Sequence, residues 1–127
     1  MAALEFGDVT AMSEHFDATA FEALKSSLGD QLVEMLLGKF LVQMQEKVAL
    51  LQAAIDSRDM EGVRQQAHDL TSSSGSVGLG AMKEKASACE IAVKQGNEQE
   101  GLTLAQDLVD MAPETAAAVR AAYPGLG

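Results

Sequence analysis

His68 is the residue best placed to do chemistry in this 127-residue chain. It stands in the stretch AHDLTSSSGSVGLG, residues 67–80, where one histidine is followed by a run of serines and glycines. A neutral imidazole nitrogen is a good nucleophile near neutral pH, and a serine hydroxyl beside a base can be another. Backbone N–H groups of a glycine-rich loop can cradle phosphate. The stretch therefore admits four readings: a flexible linker, a phosphate loop, a hydrolase nucleophile, or a helix that exposes its histidine.

The phosphate loop fails on its side chains. Gly75 and Gly80 have the separation of G-x-x-x-x-G-K-[ST], but Ala81 and Met82 follow where a lysine and a hydroxyl residue must stand. Gly78-Leu79-Gly80 does not continue into a dinucleotide fingerprint, because Ala81, Met82 and Lys83 follow and no strand precedes it. A nucleophile elbow needs G-x-S-x-G, and Ser74-Gly75-Ser76-Val77-Gly78 lacks the first glycine. His15 and His68 are the two histidines and Cys89 the one cysteine, with no spacing that makes a metal-ligand pattern.

The helix reading survives a geometric test. At about 100° per residue, Val63, Ala67, Leu70, Ser74 and Val77 fall within roughly 40° of one direction, and His68 lies roughly 140° away. Arg64, Thr71, Ser72 and Gly75 share the histidine's face. An exposed imidazole is thus expected above a turn of small residues, open to a protein that approaches it. Large side chains at Ser72 or Gly75 would block that approach.

The rest of the chain has to build the scaffold for such a helix. Its apolar residues are mostly Ala, Leu, Met and Val, with four Phe, one Tyr and no Trp, which favours helix over strand. Asp17 can cap a short helix over 18–28 that Gly29 stops. Asp30 can cap a long second helix over about 31–57, with Val33, Leu36, Leu37, Phe40, Met44, Val48, Leu51 and Ile55 recurring at three and four residues. Asp59 can cap the third, which carries His68, with Glu61 in its first turn. A fourth runs from about Leu79 to Gln95, with Met82, Ala86, Cys89 and Val93 inward, and ends at Gly96-Asn97. A fifth begins near Glu98 and uses Leu102, Ala105, Leu108, Val109, Ala112 and Val119. Pro113 is expected to kink or split it. The expectation is an all-α, up-down-up-down antiparallel four-helix bundle with a short extra N-terminal helix. Residues 1–16 read as a lead-in, 17–123 as the bundle and 124–127 as a tail.

Composition excludes several roles. A net charge of −10 repels nucleic-acid backbones and anionic membranes, and no basic run offsets it. No apolar run approaches the roughly 18 residues of a membrane span. The first ten residues lack a basic region and a long apolar core, so they are not read as a signal peptide. A lone cysteine fits the cytoplasm. The methionines at helical spacing, and Cys89, read as core residues.

The stretch Ala67-His68-x-Leu70-x-Ser72-Ser73-Ser74-Gly75-Ser76-Val77-Gly78, with Cys89-Glu90 about one helix later, resembles the motif of histidine-containing phosphotransfer (HPt) domains. The family pattern is about A-H-x-L-K-G-x-[SA]-G-x-[LIV]-G, and length and helix order suit it from about Asp17 onward. The resemblance implies that His68 is a phosphoacceptor on a four-helix bundle. It would take a phosphoryl group from a receiver-domain aspartate or a histidine kinase and pass it to a receiver aspartate. It implies no ATP site and no cofactor or metal in this chain, Mg2+ belonging to the receiver partner. A monomer is expected.

Two positions depart from the pattern. Thr71 replaces the family's lysine and Ser72 its glycine. The lost lysine weakens charge stabilisation of a phosphoryl group. Thr71 can still donate a hydrogen bond, and Ser72 is small enough to keep access open. Arg64 is a candidate substitute cation or simply a partner of Glu61; Lys83 and Lys94 are further candidates. Glu90 is placed to hydrogen-bond the imidazole or to be a surface acid. The departures also leave open a binding module of the same fold that docks a kinase or receiver without relaying phosphate.

Overall fold

The computed structural model describes residues 14–126. The first thirteen residues, which hold most of the lead-in and the segment judged not to be a signal peptide, lie outside the described part, as does Gly127. Five α-helices are described: α1 (Ala18–Leu28), α2 (Asp30–Ser57), α3 (Met60–Ser76), α4 (Gly80–Lys94) and α5 (Glu98–Ala122). A short 3-10 turn, Pro124–Leu126, follows α5. The described residues contain no strand.

Local sequence explains most of the boundaries. Asp17 caps α1, its carboxylate accepting from the Ala20 N–H at 3.2 Å. Asp59 caps α3 in the same way, accepting from Gly62 N–H at 3.0 Å. Gly29, at φ +81°, closes α1 by donating to the Lys25 carbonyl at 2.8 Å.

Two expectations need correction. Asp30 does not cap α2; Gly29 is the N-cap and makes no side-chain bond. Asp30 lies inside the first turn, where its charge suits the helix dipole, and its carboxylate accepts from the Tyr123 hydroxyl at 3.2 Å. Nor does Pro113 split α5, which runs unbroken through it. Pro113 is exposed, while Leu108, Ala112, Ala116 and Val119 on the flanking turns are buried. Packing that stripe on both sides of the proline outweighs the one missing backbone donor.

The four long helices form a ring. α2 packs on α3 and α5, and α4 packs on the same two from the other side. The ring encloses a core that includes Val33, Leu37, Leu51, Val63, Leu70, Met82, Leu108 and Val119, all fully buried. Burying each such aliphatic side chain contributes about 1.5–3 kcal/mol. The methionines divide: Met44 and Met82 fill the core as expected, but Met35 is exposed.

α1 is held against the α3–α4 turn. The Asp17 N–H donates to the Gly78 carbonyl at 2.8 Å. Gly78 has φ +73°, and a Cβ there would lie 3.1 Å from the Phe21 Cα. Only glycine permits both the left-handed turn and this backbone approach. Phe21 packs in turn on Phe16, with ring centroids 4.5 Å apart. The result fixes where α3 ends, two turns past His68. No described helix is long and apolar enough to cross a membrane.

Candidate functional site

The run of small residues is helical as far as Ser76, and Val77–Leu79 form the turn into α4. Ala67, Leu70 and Ser74 face the core, which sets the outward direction of everything between them. His68 is exposed, with 58% of its side-chain surface accessible. Ser72 is exposed beyond it, and Thr71 and Gly75 are half-buried. The wheel geometry therefore gives the right face.

What the wheel does not give is the neighbour across the helix pair. The Glu90 carboxylate, on α4, sits 3.0 Å from the His68 Nδ1. Glu90 is almost enclosed, with 11% of its side chain accessible. The same oxygen, Oε2, is 3.2 Å from Lys94 Nζ and 3.6 Å from Arg64 Nη1. Burial alone would raise the carboxyl's pKa. The hydrogen bonds from Lys94 and His68, with their charge, outweigh it and hold Glu90 below the usual carboxylate range. Glu90 is therefore ionised at neutral pH and can only accept. The proton of a neutral His68 imidazole consequently belongs on Nδ1, and the Nε2 lone pair faces away from Glu90.

The cations sort by their partners. Arg64 is anchored mainly on Glu61, with Nη2 2.6 Å and Nε 2.9 Å from Oε1, and reaches Glu90 secondarily. Lys94 is engaged with Glu90. Lys83 lies across the small-residue face, its Cδ 3.3 Å from where a Gly75 Cβ would stand, and has no ion-pair partner among the described residues. Thr71 offers no free donor, because its hydroxyl is turned back to the Ala67 carbonyl at 2.9 Å.

Two residues escaped the sequence reading. Lys47, from α2, pairs with Asp69 at 2.8 Å, and this hydrogen bond holds Asp69 below the usual carboxylate range. Both line an open groove of about 690 Å³ between α2 and α3, which His68, Ser72, Phe40 and Val77 also border. The i to i+1 relation of His68 and Asp69 was visible, but the contact to Lys47 spans 22 residues and left no local trace.

The other candidate chemistries find no geometry. Ser74 is fully buried, and the Ser76 hydroxyl donates to the Ser72 carbonyl at 2.9 Å, so neither serine is paired with His68. Among the described residues no group of three or more His, Cys, Asp or Glu side chains could hold a metal ion. Cys89 is buried, donates to the Gly101 carbonyl at 3.4 Å, and has its thiol pKa pushed up to about 11 by burial and then by Glu90. It is a core thiol and a poor nucleophile.

The family model for the Hpt domain matches residues 35–123. The chain belongs to the Hpt family. Hpt domains serve histidine phosphotransfer in two-component signalling, as carriers rather than as enzymes with an ATP site of their own. The matched part of this Hpt domain begins within α2 and ends one residue past α5, so it includes His68, Glu90 and the whole ring except the start of α2. No curated protein and no solved structure gives a significant match.

Proposed function

We propose that this Hpt protein is a phosphorelay intermediate whose phosphoacceptor is His68 Nε2. The observation that carries the reading is the 3.0 Å contact between His68 Nδ1 and the ionised Glu90. It keeps one nitrogen protonated and the other free to attack. The Nε2 lone pair attacks the phosphorus of a receiver's aspartyl phosphate, and the phosphorus–oxygen bond to the aspartate breaks. The aspartate leaves as a carboxylate. The ring becomes cationic as the new N–P bond forms, with Nδ1–H still donating to Glu90. A histidine kinase can serve as the donor through its own phosphohistidine, and the return step delivers the group to another receiver's aspartate. Mg2+ for these steps is supplied by the receiver, not by this chain.

The ring of α2–α5 supports an up-down-up-down bundle within residues 17–123, because connections of two or three residues leave successive helices no room to run parallel. Ser72 and Gly75 leave the approach to His68 low. Lys83, without an ion-pair partner among the described residues, takes the place of the family's lysine as the cation beside the incoming phosphoryl group. The test is incubation with a phosphorylated receiver and detection of acid-labile phosphate on this chain. Equal labelling of His68→Gln would remove His68 from the role.

One observation favours a second reading. With Thr71 turned to the backbone, α3 itself offers the phosphoryl group no donor at that position. A module that docks a kinase or receiver without relaying phosphate would tolerate this. Its regulatory effect would survive His68→Gln and be lost with a bulky residue at Ser72, and loss with both changes would count against it.

A further inference from the structure

We propose that the outer face of α2 pairs two copies of this chain in an antiparallel arrangement about a two-fold axis near Val42. Leu32, Met35, Lys39, Val42, Glu46 and Leu50 fall within an arc of about 80° on the helix, centred about 140° from the mean direction of the α2 core residues, with Lys39 and Glu46 also bordering the groove beside His68. Their spacing of three and four residues is that of a helix seam. The apolar members are exposed: Val42 60%, Met35 55%, Leu50 52% and Leu32 47%. The stripe extends over about 27 Å, and none of these side chains is buried by the described helices.

Charge selects the occupant and its direction. Lys39 and Glu46 interrupt the stripe seven residues apart, about 10 Å along the axis, too far to pair with each other. Neither has an ion-pair partner among the described residues. Antiparallel copies crossing near Val42 bring Lys39 of each copy to Glu46 of the other, twice by symmetry. The same crossing sets Met35 opposite Leu50 and Val42 near its own symmetry mate. A parallel pairing would set Lys39 against Lys39 and Glu46 against Glu46. The face is thus self-complementary in one orientation only. This pairing replaces the monomer expected from the sequence, and it does not depend on the phosphotransfer reading.

The test is sedimentation equilibrium of the full chain at protein concentrations up to about 1 mM, with helical content and melting of each variant checked by circular dichroism. The wild type should dimerise. Val42→Glu should be folded and monomeric. Lys39→Glu and Glu46→Lys alone should each weaken the dimer about tenfold by creating two like-charge contacts. The double variant K39E/E46K should restore it to within about threefold, because the pairs reform with exchanged signs. Three results would overturn the proposal: a wild type monomeric throughout, a dimer unaffected by Val42→Glu, or a double variant no tighter than the weaker single one. A monomeric chain whose α2 stripe cross-links to a receiver domain would assign the face to that partner instead.

Discussion

Replacing Glu90 by glutamine removes a charge from the site while keeping its size. In wild type the carboxylate lies 3.0 Å from His68 Nδ1. When Nε2 takes up a phosphoryl group, positive charge develops on the ring at that distance. Coulomb's law gives about 1.4 kcal/mol for unit charges at this separation in bulk water and about 5.5 kcal/mol at the effective permittivity of a protein surface. His68 is more than half exposed, so the lower figure is the nearer guide. The variant also leaves Lys94 and Arg64 without the carboxylate that offsets them, and both then oppose a cationic ring. The expected outcome is a ten- to hundredfold slower acceptance of phosphate from a phosphorylated receiver. Stopped-time transfer assays measure it, and thermal melting of the variant confirms that the fold persists. Glu61→Gln, which loosens Arg64 from its main partner without touching the imidazole, should change the rate far less. Glu90 is held ionised below the ordinary carboxylate range, so the gap between wild type and variant should be fully present at pH 8, where the imidazole is neutral in both. A folded E90Q that accepts phosphate within twofold of wild type would refute the role given to Glu90.

Three further outcomes follow from the same structure. Tyr123 is the one tyrosine and there is no tryptophan, so phenolate absorbance reports a single group. Burial and then the Asp30 bond push its pKa up to about 12; the ordinary value is about 10. The native titration should therefore lag the denatured one, and the stability tied to the neutral phenol, complete below about pH 10, should be lost as pH rises towards 12. Cys89 should resist alkylation at pH 8 in the native protein and react on denaturation, since burial disfavours its thiolate. Gly78→Ala should lower unfolding free energy by about 1–3 kcal/mol in a denaturant titration, from the strained φ and the approach to Phe21, and unchanged stability would argue against the packing of α1 on that turn.

The parts legible in the sequence were those set by near neighbours. Asp17 and Asp59 announce their helices because a cap acts over three residues, and the His68 face follows from the spacing of Ala67, Leu70 and Ser74. Asp30 misled for the opposite reason. A local cap and a bond to Tyr123, 93 residues away, compete for one carboxylate, and only the fold decides between them. Pro113 carries a local penalty that core packing on both flanking turns overrides. At the site, Glu90 was legible as a position but not as a carboxylate shared by His68, Lys94 and Arg64. The pairing of Arg64 with Glu61 was visible at i to i+3, whereas the position of Lys83 over Gly75 and the Lys47–Asp69 pair depend on how α2, α3 and α4 meet.

The most direct test of the account is the chemical identity of the phosphorylated residue. Wild-type protein and His68→Gln are incubated with a phosphorylated receiver domain and Mg2+, and the transferred phosphate is assayed for acid lability and mapped to a residue. Acid-labile, base-stable phosphate on His68, absent from a folded H68Q, is the predicted result. Labelling of H68Q at the wild-type rate, or acid-stable phosphate on one of the serines 72–76, would contradict it.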